Sequence, residues 1–192
     1  MAKLYFYYAA MNAGKSTQLL QSAFNYAERG MRTLLFTASV HDRGGHGVID
    51  SRIGLEAQAM AFDPDTDLHA EVSDARQGGA IGCVLIDEAQ FLTRPQVLQL
   101  ARVADEMGVP VLCYGLRTDF RAELFEGSAA LLALADVLTE IKTVCNCGRK
   151  ATMNLRIDDA GRAVTSGAQI GIGGNDRYVA LCRRHYMERI RG

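Results

Sequence analysis

One short run constrains this chain more than any other. The apolar segment Leu4 to Ala9 passes directly into Ala10-Met11-Asn12-Ala13-Gly14-Lys15-Ser16-Thr17. A strand that empties into a turn of small residues and then a helix presents backbone N–H groups at the helix N-terminus, where they and the helix dipole attract phosphate. The turn matches the Walker A pattern in its required setting between strand and helix. Lys15 is placed to reach the β- and γ-phosphates of ATP, and the Ser16 hydroxyl to bind Mg²⁺. The pattern's first glycine is Ala9 here, so the loop must keep that position in an ordinary conformation. Gly-Lys-Ser-Thr alone could be no more than a helix start; its position in the chain favours the phosphate-binding reading.

The remaining chain alternates between strands and helices. Leu20, Ala23, Phe24 and Ala27 recur at helical spacing, with Gly30 as the stop. Thr33 to Ala38 reads as a second strand. Residues 41–54 carry four glycines and no period, and read as a loop. Ile81 to Ile86 reads as a buried parallel strand. Thr93 and Gln96 have capping-box spacing for a helix through Met107, which Gly108 ends. Val109 to Tyr114 reads as a strand, Leu124 to Leu134 as mostly helix, and Val137 to Val144 as strand. This order predicts an α/β fold: a RecA-like parallel P-loop sheet with flanking helices. The pattern ends near Val144. The expected division is 1–144, a nucleotide-binding domain, and 145–192, a small lobe.

Cys83-Val84-Leu85-Ile86-Asp87-Glu88 resembles a Walker B strand, expected beside the phosphate loop. Asp87 would associate with Mg²⁺, usually through a water. Glu88 would then be free to accept a proton from an attacking hydroxyl. Two acids at a strand end are ordinarily just solvated; Lys15 upstream favours the catalytic reading.

Five cysteines without an even pairing argue against a disulfide framework. Cys83 and Cys113 sit in apolar runs and read as small core residues. Cys145, Cys147, Cys182 and His185 form a closed Cys₃His set suited to tetrahedral structural Zn²⁺, with no position left for catalysis. His41, His46 and His69 read as surface residues. A net charge of −1 gives no broad electrostatic attraction to nucleic acid or an acidic membrane. No run has the length of a membrane span and none reads as a signal peptide, so the expected location is the cytoplasm.

The blocks Tyr8 to Thr17, Ile86 to Phe91, Tyr114 to Phe120, Cys145 to Gly148, Ile172 to Tyr178 and Cys182 to His185, in this order, resemble the tetrameric, zinc-containing thymidine kinases, in the form of their enterobacterial branch. The resemblance implies phosphorylation of thymidine at its 5′-hydroxyl by ATP, with Glu88 as the catalytic base. It implies nucleotide contacts along Ala9, Ala10, Met11, Asn12, Ala13, Gly14, Lys15, Ser16 and Thr17, and at Asp87, Glu88, Ala89 and Gln90. It implies a thymine pocket lined by Met11, Phe91, Leu116, Phe120 and Phe125. A lasso over about Ala163 to Tyr178 would bring Gly171, Ile172 and Tyr178 to the nucleoside, reading the base through main-chain groups. A homotetramer inhibited by thymidine triphosphate is also implied. Two rival readings stand beside this one. A P-loop ATPase with a zinc ribbon on nucleic acid would want an aromatic stacking platform among the lobe's arginines, which the sequence lacks. A non-catalytic nucleotide sensor would not need Lys15, Ser16, Asp87 and Glu88 together.

Overall fold

The computed structural model describes residues 1–39, 47–169 and 177–191. The chain runs through β1 (Leu4–Ala9), α1 (Lys15–Ala27), β2 (Thr33–Ala38), β3 (Val48–Asp50), β4 (Glu56–Gln58), β5 (Met60–Phe62), α2 (Leu68–Gln77) and β6 (Cys83–Ile86). A 3₁₀ turn at Ala89–Phe91 leads to α3 (Arg94–Met107), β7 (Val111–Leu116), α4 (Glu126–Leu134) and β8 (Val137–Glu140). Six strands form one sheet in the order β5-β2-β6-β7-β1-β8, every neighbouring pair parallel. This is the expected α/β architecture.

Successive strand residues point to opposite sheet faces, and the sequence fills both with apolar groups. Val84 and Ile86 join Val97, Leu100 and Val103 of α3 and Leu68 and Val72 of α2 in one cluster. Cys83 and Leu85 join Leu19 and Leu20 of α1 and Ile49 of β3 in the other. All four residues of β6 are therefore buried. Cys83 and Cys113 are fully buried, as their apolar surroundings predict. Burial pushes the Cys83 thiol up to about 12.

Helix boundaries follow capping chemistry. Thr93 and Gln96 form the expected capping box, and Gly108 ends α3 in the left-handed conformation. Gln96 does more than cap: its amide also donates to the carbonyls of Asp63 (2.7 Å) and Thr66 (3.0 Å), tying down the turn before α2.

Three expectations need correction. The stretch read as a loop over 41–54 contains β3, which pairs antiparallel with β4; its low periodicity hid a three-residue strand. Of that stretch, residues 41–46 lie outside the described residues. The strand expected over Val137–Val144 is two strands, because β8 pairs with β1 while β9 (Thr143–Val144) pairs with β10 (Lys150–Ala151). Phe24, expected on the apolar face of α1, is 58% exposed; Leu19 and Leu20 carry that helix's burial. The acid-bearing strand β6 reaches the phosphate loop, as expected, with β7 lying between it and β1.

The C-terminal lobe continues with β11 (Met153–Arg156), β12 (Tyr178–Leu181) and α5 (Arg183–Arg191). β11 and β12 pair antiparallel and pack with Tyr186 of α5 over a small core of Ala151, Met153, Leu155 and Leu181. No helix among the described residues is long and apolar enough to cross a membrane.

Candidate active site and metal cluster

β1 ends at Ala9, whose φ is ordinary, as an alanine there requires. The turn then uses positive φ twice, at Asn12 (62°) and at Gly14 (82°), which caps α1. Lys15 is the first residue of α1, and Ser16 follows it.

β6 delivers Asp87 to the same edge. Its backbone N–H donates to Phe36 at 2.8 Å, continuing the ladder to β2. The Ser16 hydroxyl donates to Asp87 Oδ2 at 3.1 Å, so the two residues expected around Mg²⁺ meet despite the intervening strand. Asp87 is 5% exposed, and its Oδ1 is buried without a hydrogen-bond partner. Burial, then the Glu88 charge, pushes its carboxyl up to about 7, against the pull of Lys15 and Ser16. A half-buried hydroxyl and a buried carboxylate with one oxygen unmatched fit a hard cation that takes oxygen ligands and keeps several waters.

Glu88 diverges from its neighbour. It adopts the left-handed conformation (φ 52°, ψ 37°), costly for a residue with a Cβ, and it is only half-buried. The following turn is held firmly. The Gln90 amide donates to Glu88 Oε2, while its Oε1 accepts the Leu116 N–H at 2.9 Å. Two glycines admit this turn. A Cβ on Gly127 would lie 2.6 Å from the Ala89 oxygen and 2.7 Å from that of Leu92; one on Gly115 would lie 2.9 Å from the Gln90 nitrogen. Strain at an acid, maintained by closely packed surroundings, is a pattern of functional sites.

Of the expected nucleoside residues, Phe91 and Phe125 meet edge to face at 5.7 Å between ring centres. Leu116 follows Gly115 at the end of β7 and is fixed by Gln90 at its nitrogen and by the Ser128 hydroxyl at its oxygen. Phe120 is buried, with the Arg156 guanidinium 5.3 Å from its ring centre. Arg156 also reaches toward the Ala168 carbonyl at 3.5 Å, joining Phe120 to the near end of the expected lasso. Tyr178 opens β12 opposite Arg156. Met11 is half-buried. Gly171 and Ile172 lie outside the described residues, as do His41 and His46. His69 is half-buried on α2, 3.5 Å from Glu106.

The four expected metal ligands converge. The Cys145, Cys147 and Cys182 sulfurs and a His185 nitrogen all lie within 4.8 Å of one another. Cys145 and Cys147 flank a tight turn closed by Gly148 N–H to the Cys145 carbonyl at 2.8 Å, with Gly148 at φ 77°. Cys182 follows β12, and His185 is in the first turn of α5. Cys147 and Cys182 sulfurs are 3.9 Å apart, and His185 Nδ1 is 3.3 Å from Cys145 Sγ. Zn–S bonds of about 2.3 Å in a tetrahedron imply S···S near 3.8 Å, so the donor set fits Zn²⁺. Burial opposes ionisation of Cys145, but the N–H groups of Cys147 and Cys182 and the His185 ring outweigh it and bring the thiol down to about 6. Thiolate is the form a metal binds. His185 Nε2 faces Glu188 at 3.9 Å, the outward carboxylate that orients many metal-bound imidazoles.

Two features escaped the sequence. Gln90 stands in the expected nucleotide-contact run, yet its side chain is spent on Glu88 and Leu116. Asn154, in the small lobe, contacts the phosphate loop. A polar residue inside the apolar triplet Met153-Asn154-Leu155 was the available signal.

The model of the family described as "Thymidine kinase" matches residues 2–186. The chain is 69% identical over 188 residues to the thymidine kinase of Novosphingobium aromaticivorans, covering 98% of each chain. It is 60% identical over 188 residues to that of Shigella dysenteriae, covering 98% of this chain and 92% of that one. It is 59% identical over 191 residues to that of Yersinia pestis, covering 100% and 97%.

Proposed function

Since the chain belongs to the thymidine kinase family, we propose that it transfers the γ-phosphate of ATP to the 5′-hydroxyl of thymidine, giving thymidine monophosphate and ADP in nucleoside salvage for DNA synthesis. One arrangement carries the reading. Ser16 is joined to Asp87, one Asp87 oxygen lacks a donor, and Glu88 is held beside them by Gln90.

Lys15 and the backbone from Ala9 to Thr17 hold the phosphates. Ser16 and Asp87 are the residues that would hold Mg²⁺, which when bound spreads the charge of the β- and γ-phosphate oxygens. Glu88 accepts the 5′-hydroxyl proton as that oxygen bonds to the γ-phosphorus. The bond from phosphorus to the bridging oxygen breaks, and ADP leaves with the electron pair. Gln90 occupies one Glu88 oxygen and leaves the other for the proton. Met11, Phe91, Leu116, Phe120, Phe125 and Tyr178, with the lasso around Gly171 and Ile172, form the nucleoside pocket. Cys145, Cys147, Cys182 and His185 hold structural Zn²⁺ in a lobe distinct from the nucleotide-binding domain. The same reading makes the enzyme a cytoplasmic homotetramer inhibited by thymidine triphosphate; family resemblance supports these points.

A panel of nucleosides with ATP and Mg²⁺ tests the reading. A frame matched to thymine's N3–H and flanking carbonyls leaves cytosine with buried mismatched groups, each worth about 1–3 kcal/mol. The expected order is thymidine, deoxyuridine, then deoxycytidine lower by two to four orders of magnitude on about two such mismatches. Equal turnover of deoxycytidine or deoxyadenosine would sink the reading.

A further inference from the structure

Among the contacts between the small lobe and the rest of the chain is one buried side-chain amide. Asn154 lies in β11 between Met153 and Leu155, and is 2% exposed. Its Oδ1 accepts the Met11 N–H at 2.8 Å, and its Nδ2 donates to the Thr118 carbonyl at 2.8 Å. A buried side-chain amide is tolerated when its donors and acceptors are met. This one meets them across the chain, 143 residues back at the phosphate loop and 36 residues back beyond β7.

Met11 is a sensitive place to hold. It directly precedes Asn12, whose φ of 62° lies in the left-handed region that few residues other than glycine and asparagine adopt readily. Gly14 at 82° comes two residues later. The N–H before this pair of left-handed residues is therefore fixed by a side chain from outside the loop. β11 is in turn fixed by β12, with Asn154 opposite Ala180 and Met153 opposite Leu181. Cys182 of the metal cluster is the next residue. A continuous series of contacts thus runs from the cluster through two strands to the nucleotide-binding turn.

We infer that Asn154 is a positioning residue for phosphoryl transfer: through the Met11 N–H, the C-terminal lobe sets the conformation of the phosphate loop. ATP affinity then depends on a residue that does not itself contact the nucleotide. The inference rests on the reading of that loop as the ATP site.

Two variants test it, each assayed for binding of a non-hydrolysable ATP analogue with Mg²⁺, for zinc content and for amide exchange at Met11. Asn154→Ala removes both bonds. Leaving the Met11 N–H without this partner is expected to weaken analogue binding about tenfold. Met11 should lose protection from exchange, with zinc content unchanged. Asn154→Asp, assayed at about pH 6 where a carboxyl so buried holds its proton, keeps an acceptor for Met11 and a donor for Thr118 at nearly the same size, and its analogue affinity should stay within about threefold of the parent. If Asn154→Ala does not fold, Asn154→Asp alone decides: parent-like affinity with Met11 protected supports the inference, and a tenfold loss overturns it. Unchanged analogue affinity in folded Asn154→Ala also overturns it, as does equal weakening in both variants. A parent protein that fails to bind the analogue instead sinks the ATP reading.

Discussion

In the sheet, β6 buries every one of its residues and then releases the chain at Asp87. In the C-terminal lobe, β9 and β10 are two residues each, and the turn between them carries two cysteines. The sheet draws its order from apolar clusters on both faces, with α2, α3 and α4 on one and α1 on the other. The lobe's own core includes Cys145 and Cys182. About 25 cal/mol per Å² of buried apolar surface stabilises a large sheet amply, while small units commonly need a metal or a crosslink. Two regions of one chain thus have different means of holding together: broad apolar packing in the sheet, and in the lobe a small core that shares two of its residues with the cysteine cluster.

The contrast can be broken at either end. The largest effect belongs to the sheet's edge: Glu88→Gln should lower kcat by about 10²–10⁴-fold, the usual worth of a general base. Nucleotide affinity and thermal stability should stay near the parent's. Near-normal turnover would remove Glu88 from the mechanism. Next comes Cys182→Ser. Losing one of four ligands should cost about 2.5–4 kcal/mol, a quarter of the roughly 10–16 kcal/mol of structural zinc sites. Hydrogen exchange should then quicken across 143–191 while β1, β6 and β7 stay protected. Stoichiometric zinc in that variant would mean the wrong ligands were chosen, and uniform loss of protection would erase the distinction between the two regions.

Gly127→Ala should come third. Its Cβ would press on the backbone oxygens of Ala89 and Leu92. Such crowding costs about 1–3 kcal/mol, and Tm should fall by about 2–4 °C per kcal/mol in a chain of this size. If kcat also falls, the turn that holds Glu88 has shifted with it; an unchanged Tm would show that α4 yields easily there. Thr93→Ala should be mildest, costing about 1 kcal/mol through the lost cap and leaving zinc content and kcat alone. A change in either would mean that α3 is coupled to the lobe.

Local chemistry in this chain was legible from sequence, and long-range chemistry was not. Lys15, Ser16, Asp87 and Glu88 announce themselves through a turn and a strand end. Thr93 and Gln96 form their capping box within four residues. Cys145, Cys147, Cys182 and His185 are far apart, but three thiols and an imidazole make a recognisable zinc-ligand set. By contrast, nothing near Asn154 in sequence points to Met11. Gln90 looked like part of a nucleotide-contact run until Leu116 and Glu88 were seen on either side of it. Gly115 and Gly127 owe their identity to a turn that approaches them from another part of the chain. The short β3 failed to register because a three-residue strand carries too little periodicity, and the break between β8 and β9 because both halves have strand-like composition. Even the sheet order was partly hidden, since side-chain patterns say that β6 is central but not that β7 separates it from β1.

The unmatched oxygen of Asp87 has a consequence for how this protein spends its time between turnovers. Its carboxyl is raised to about 7 from an ordinary value near 3.8, burial being the main cause. The folded state therefore holds that proton more tightly than the unfolded chain does. Any stability that depends on this proton is present below the ordinary value and fades as pH climbs toward about 7. Near neutrality this buried carboxyl therefore costs the fold stability, a common trade of robustness for a group placed to work.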